Sequence, residues 1–344
     1  MLFAAFTLAA IEIRPPQFNR TEPESTMDIK VGKAAIAEAS QKLSNWGRWG
    51  KEDQIGTLNF VTPERVTRAA QLVKKGKIFG MGIPLDGNGP QSGLFGGRWN
   101  PIHTMLATGT DAIAGRQDEI NRMRYADDAI NMPVQAATHW DSLGHVFYID
   151  KMYNGHDAKN VDSRGVHRLG IEHTRDRMVG RGVLLDVARF KGVDSLEDGY
   201  GISNDELDAV AKKQGVVVGE GDFVIIRTGH MERCMKNKAW GGYAGGDAPG
   251  VKFENCYWSH EKKIAAICSD TWGVEVRPNE GPEVAQPWHW VVIPAMGLTM
   301  GEIFFVKELA EDCAADGVYE FMFAGPPLVI TGGTGSPINP LAIK

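Results

Sequence analysis

Cysteine is scarce: the chain carries four, Cys234, Cys256, Cys268 and Cys313, and no pair stands in a C-x-x-C spacing. Thiol-built metal or redox motifs are therefore unsupported, and all four read as buried reduced thiols. Charge of one sign is not in great excess. The net charge is −6 with acidic and basic residues interspersed, so no basic patch offers a footing for nucleic acid. Long apolar runs are missing. The N-terminal stretch MLFAAFTLAAIEI falls short of the ~20 residues that span a bilayer. It also lacks the positive segment of a secretory signal, and Glu12 interrupts it. Gly-rich stretches are short and scattered rather than gathered into a linker. At about 150 residues per domain the length would allow two domains, but nothing in the sequence divides the chain.

Several catalytic signatures are absent as well. There is no G-x-S-x-G nucleophile elbow, no G-x-x-x-x-G-K-[ST] phosphate loop, no H-E-x-x-H, and no G-x-G-x-x-G after a strand. The cluster GGTGSP, from Gly332, lies too near the end for a nucleotide-binding βαβ unit to follow, and reads as a turn. The expected organisation is an N-terminal extension over 1–26, ahead of a start at Met27, and one domain over 27–344. A cytoplasmic location follows from that start; a targeting role for the apolar N-terminus is the alternative.

What is present is concentrated in QAATHWDSLGH, from Gln135 to His145, which holds His139, Asp141 and His145. Histidine and aspartate are ordinary ligands of a divalent metal, and a bound metal can make water a nucleophile near neutral pH. On a strand, residues two apart share a face, ~6.6 Å apart along the chain. Gln135, Ala137, His139 and Asp141 would then point one way. A helix would set His139 and Asp141 roughly 200° apart, too far to share an ion. Thr138 and Trp140 also favour a strand. Ser142, Leu143 and Gly144 break it, so His145 lies past a turn and can lean back. The plainer alternative is a set of hydrogen-bonded histidines with no ion.

The segment resembles the cyclase-like metal hydrolases, whose members include bacterial kynurenine formamidases, isatin hydrolases and a trans-dienelactone hydrolase. Their hallmark H-x-x-x-H-x-D-x-x-x-H stands here as Gln135, His139, Asp141 and His145, with glutamine in place of the first histidine. GRWGKEDQIGTLNFVTPERV from Gly47, RTG from Arg227, SDTWGVEV from Ser269 and GSPINPLAIK from Gly335 extend the likeness over about residues 45–344 to a longer branch of the family. The resemblance implies an α/β fold of the swivelling β/β/α type, a barrel-like β core ringed by helices, and a homo-oligomer. It also implies that His289 and Glu302 join His139, Asp141 and Gln135 around metal, with zinc expected first and manganese second. Glu302 has a second reading: Thr299-Met300-Gly301-Glu302 is a capping box for a helix carrying Phe305, Leu309 and Cys313. His289 could equally be a buried, backbone-satisfied histidine.

Other elements follow from pattern. Thr62-Pro63 opens a helix with Val66, Ala69, Ala70 and Val73 on one face, ended by Gly76. Ser203-Asn204-Asp205-Glu206 caps another, with Ile202 and Leu207 as its hydrophobic staple and Gly215 closing it. GVLLDV (182–187), DFVIIRTG (222–229), KIAAICSD (263–270), WVVIP (290–294), YEFMF (319–323) and PLVIT (327–331) read as strands.

Loops at strand ends commonly carry function. Asp270 could orient a ligand histidine, Arg227 could hold a substrate carboxylate or an internal ion pair, and His103 is a further pocket candidate. Trp46, Trp49, Trp140, Trp272, Trp288 and Trp290 could wall a site for a planar substrate, or fill the core. The expected function is metal-dependent hydrolysis of an amide or a lactone in a small, cyclic or aromatic molecule. His145 would be the general acid/base, because its ordinary pKa of about 6.5 lets it take and return a proton. Neither nucleic acid nor membrane is an expected partner. Kynurenine formamidase activity is one alternative; a non-catalytic small-molecule binder on the same fold is another.

Overall fold

The computed structural model describes residues 29–119 and 123–344; the N-terminal extension read over 1–26 lies outside them. Its centre is a nine-stranded sheet. In chain order the strands are β1 (Ile78–Gly80), β2 (His139–Asp141), β3 (Val179–Asp186), β4 (Phe223–Arg227), β5 (Ala266–Ser269), β6 (Thr299–Glu302), β7 (Glu320–Ala324), β8 (Gly335–Pro337) and β9 (Leu341–Ile343). Across the sheet they run β1-β9-β7-β3-β4-β5-β6-β2-β8. The sheet is mixed α/β in setting and curls into a half-barrel with helices around it. Strands β3 to β6 are mutually parallel, and the strands flanking them are antiparallel.

Both faces of the central strands are buried, as parallel strands covered by helices require. Val183, Leu185, Val224, Ile226, Ile267 and Met300 face one core cluster. Leu184, Phe223, Ile225, Ala266 and Cys268 face another. Successive residues therefore look in opposite directions, and the near-continuous apolar runs of the sequence supply both sides. All four cysteines are free and buried.

The helix after Thr62 forms at Pro63–Ala70, with the Thr62 side chain accepting from the Arg65 amide. It ends at Ala70, so Val73 lies beyond it. The helix Asn204–Gln214 starts on Ser203 and ends on left-handed Gly215 as its cap residues require; Ile202 and Leu207 are both fully buried.

Three expectations fail. WVVIP is not a strand: His289–Val292 is a short helix, whose Val291 and Val292 share a buried cluster with Ile36 and Ala39 of the helix Lys33–Lys42. Packing against that helix overrides the β preference of branched residues. PLVIT is irregular, and its Leu328 and Val329 are exposed. Thr299 caps no helix: Thr299–Glu302 is β6, paired on both sides with β5 and β2. The helix comes later, at Lys307–Asp316, and buries Leu309 and Cys313.

Trp140 shows how the sheet fixes the polar residues beside it. It is fully buried and packs on Phe223, Phe304 and Phe323, while its indole Nε1 donates to the Gly325 carbonyl at 2.6 Å. Small residues stand opposite it on both sides, Gly301 on β6 and Ser336 on β8. A Cβ on Gly301 would sit 2.7 Å from the Trp140 ring, so glycine there is a requirement of packing. With Trp140 wedged into the core, His139 and Asp141 must turn to the other face. Trp140→Ala is expected to destabilise the fold by about 3–5 kcal/mol, measured by chemical unfolding.

Candidate metal centre

Strand β2 presents His139 and Asp141 on the face away from the Trp140 core, and β6 presents Glu302 directly opposite His139. These three side chains form one buried group whose candidate ligand atoms lie within 4.8 Å of one another. His139 Nε2 is 3.5 Å from Asp141 Oδ1 and 3.2 Å from Glu302 Oε2. Both lengths are close to the roughly 3.4 Å ligand separation of a four-coordinate ion with ~2.1 Å bonds.

The hydrogen bonds decide which atom is free. His139 Nδ1 donates to the Ala137 carbonyl at 2.7 Å, because a carbonyl can only accept. Its Nε2 is left facing two carboxylates, and among the described residues neither Nε2 nor Asp141 Oδ1 has a hydrogen-bond partner. A buried polar atom without a partner is costly. Either a proton on Nε2 or a cation among these atoms satisfies the arrangement. Burial opposes charge on His139, yet Asp141 and Glu302 outweigh it and hold the imidazole up to about 9. The same field that retains a proton attracts a divalent ion. One imidazole and two carboxylates, all buried, fit such an ion.

His289 approaches from the short helix, with Nε2 3.4 Å from Glu302 Oε1. Its Nδ1 donates to Glu275, and Glu275 also accepts from the Trp288 and His289 backbone amides at 3.3 and 3.2 Å. Burial disfavours the charged ring, but Glu275 and Glu302 raise it to about 10. Glu275 thus orients this histidine, a task expected of Asp270. Asp270 is instead spent on Thr228 and Gly229, accepting from both backbone amides and from Thr228 Oγ1. Glu275 lies 14 residues before its histidine, inside the SDTWGVEV segment, where Asp270 rather than Glu275 drew the orienting role.

His145 follows the turn after β2 as expected. Its Nε2 is 3.8 Å from Asp141 Oδ1, and 26 % of its side chain is open to the pocket. Burial lowers its pKa below the ordinary value; Asp141 opposes this and Arg98 reinforces it. Gln135 sits in a turn ahead of β2 rather than on the strand, since the Ala136 amide closes back on the Pro133 carbonyl. Its amide nitrogen donates to Thr334 Oγ1 at 3.2 Å.

The pocket in front of these groups is lined by Asp141, His145, His289 and Glu302, with Phe95, Trp272 and Trp290 as aromatic walls and Arg98, Val146 and Gln286 completing it. Trp272 and Trp290 therefore stand where a wall was expected, and Trp140 does not. Trp288 is buried in the core and Trp46 is bonded to the Pro294 carbonyl. Arg227 is outside the pocket, its donors taken by Asp186 and Glu232. His103 pairs with Asp128 on an exposed ribbon, Ile102–Ala107 against Asp127–Asn131. Phe95 and Arg98, which do line the pocket, come from an irregular Gly-rich segment without any periodic signal.

Residues 45–276 match the family described as “Putative cyclase”. The chain belongs to the cyclase family. A crystal structure of a novel cyclase is 40% identical to it, covering 89% of this chain and 99% of the other, with a TM-score of 0.81. Isatin hydrolase A from Labrenzia aggregata, bound to benzyl benzoate, is 18% identical over 80% of this chain and 94% of its own, with a TM-score of 0.55. Isatin hydrolase A from Ralstonia solanacearum is 17% identical over 77% and 91%, with a TM-score of 0.57. At such identities these hydrolases share the cyclase fold with the chain. Among curated proteins, none matches it. The chain has no helix, among the described residues, long and apolar enough to cross a membrane.

Proposed function

We propose that this cyclase-family protein is a metal-dependent hydrolase of a small cyclic or aromatic amide or lactone. One observation carries the reading: a buried imidazole nitrogen and a buried carboxylate oxygen, both without hydrogen-bond partners among the described residues, face each other beside Glu302 at the floor of an aromatic pocket. His139, Asp141 and Glu302 would hold the ion, with His289 beside them and Gln135 close by in the chain. A divalent cation there supplies Lewis acidity, polarising a carbonyl and easing deprotonation of water. A ligand set rich in carboxylate suits manganese as well as zinc.

The remaining chemistry belongs to the chain. His145, uncharged near neutral pH because burial lowers its pKa, accepts a proton at Nε2 from the attacking water. It returns that proton to the leaving nitrogen or oxygen as the C–N or C–O bond breaks. Trp272 and Trp290 flank a planar substrate and exclude bulk water. Location in the cytoplasm, a small-molecule partner and assembly as a homo-oligomer complete the proposal.

The test is elemental analysis of the purified protein together with hydrolysis of N-formylkynurenine, isatin and dienelactones. Stoichiometric metal with turnover of one of these supports the reading, and N-formylkynurenine as the preferred substrate would select the formamidase alternative. A folded protein that takes up no added zinc or manganese is the binder, and the proposal fails. Glu275→Gln is expected to weaken metal affinity by roughly tenfold by loosening His289, read by chelator competition; unchanged affinity would remove His289 from the site.

A further inference from the structure

Arg98 lines the metal pocket and makes no close ion pair among the described residues, although its charge is felt by Asp141. Its guanidinium carbon lies 4.5 Å over the Phe95 ring. Phe95 in turn meets Trp272 at 5.5 Å between centroids, and Arg277 covers Trp272 at 5.1 Å. Two arginines thus bracket an aromatic pair. Among the described residues no carboxylate comes within 4.0 Å of either. The contrast with half-buried Arg181, held by Asp222 and Glu320, and with buried Arg227, held by Asp186 and Glu232, is sharp.

A guanidinium held over a ring and not engaged by a carboxylate can offer its fork of N–H groups, which matches a carboxylate. Arg98 lines the same cavity as Asp141, His145 and Glu302. An anionic ligand entering past those two carboxylates meets repulsion unless a fixed positive charge offsets it. We infer that Arg98 is a specificity-determining residue that binds a carboxylate carried on a planar, ring-bearing substrate, holding it against Phe95 and Trp272. The inference rests on the hydrolase reading for the word substrate, but the binding itself is independent of turnover.

Benzoate and benzamide are matched probes, differing in charge but not in ring. Calorimetry on the metal-loaded protein is expected to show benzoate bound roughly tenfold or more tighter than benzamide. Arg98→Met should erase that preference by weakening benzoate alone, leaving metal content and benzamide binding within about twofold, and Arg98→Lys should restore part of it. In turnover, N-formylanthranilate should exceed formanilide in kcat/KM, and Arg98→Met should raise KM for the former with kcat little changed. Equal binding of both probes by the native protein, or equal loss of both in Arg98→Met, overturns the inference. If benzoate behaves as expected and no substrate turns over, the carboxylate site stands and the hydrolase reading falls.

Discussion

Asp141→Ala is expected to strip the protein of its metal and of its activity while leaving the fold intact. Asp141 is buried, and its Oδ1 lies 3.5 Å from His139 Nε2 and 3.8 Å from His145 Nε2, with no hydrogen bond made among the described residues. Removing it deletes one ligand and leaves His139 Nε2 facing Glu302 Oε2 at 3.2 Å. The strand is held by pairing on both sides and by Trp140, so thermal stability in the metal-free state should change little. Loss of the carboxylate takes away negative charge that an ion needs in a low-dielectric site, where such interactions are strong. Metal content should fall from one equivalent toward zero, and turnover by roughly a thousandfold or more. Full metal occupancy in a folded Asp141→Ala protein would place the ion elsewhere and remove the basis of the proposed chemistry.

His145→Ala separates binding from proton transfer. The imidazole is close to Asp141 yet partly open to the pocket, a position suited to a proton shuttle. Metal content should stay near that of the native protein. Turnover should drop by about 10²–10⁴-fold, the usual contribution of a positioned general acid/base, with KM little altered. Loss of metal in this variant would make His145 a ligand instead. Near-native turnover would leave it with no role in the reaction.

The ligand strand was legible because its signal is local. His139 and Asp141 are two apart, Trp140 between them is apolar, and a period of two is what a strand imposes. The same short period could not reach Gln135, where Pro133 begins a turn. Glu302 was ambiguous for a physical reason: T-x-x-E satisfies a helix N-terminus as readily as an extended strand, and only pairing with β2 on one side and β5 on the other decides between them. His289 lies in a run of β-branched residues that fold as a helix because a second helix, Lys33–Lys42, covers them. Arg98 was silent altogether, and Glu275, although inside the SDTWGVEV segment, had no role assigned to it. Each acquires its role from a residue distant in the chain, His289 for one and the pocket of β2 and β6 for the other. Likewise Arg227 and Arg98 look alike in sequence, and only the carboxylates around each distinguish a neutralised arginine from an available one.

The pairing of Glu302 with His139 across β6 and β2 has a bearing on how the protein matures. Sliding β6 by a single position would swing Glu302 to the opposite side, and sliding β2 would swing His139 away and push Trp140 toward the cavity. A misassembled chain would thus be blind to the ion. Uptake of metal becomes a certificate of correct assembly, and free metal present during refolding should pull the population toward the native alignment by mass action.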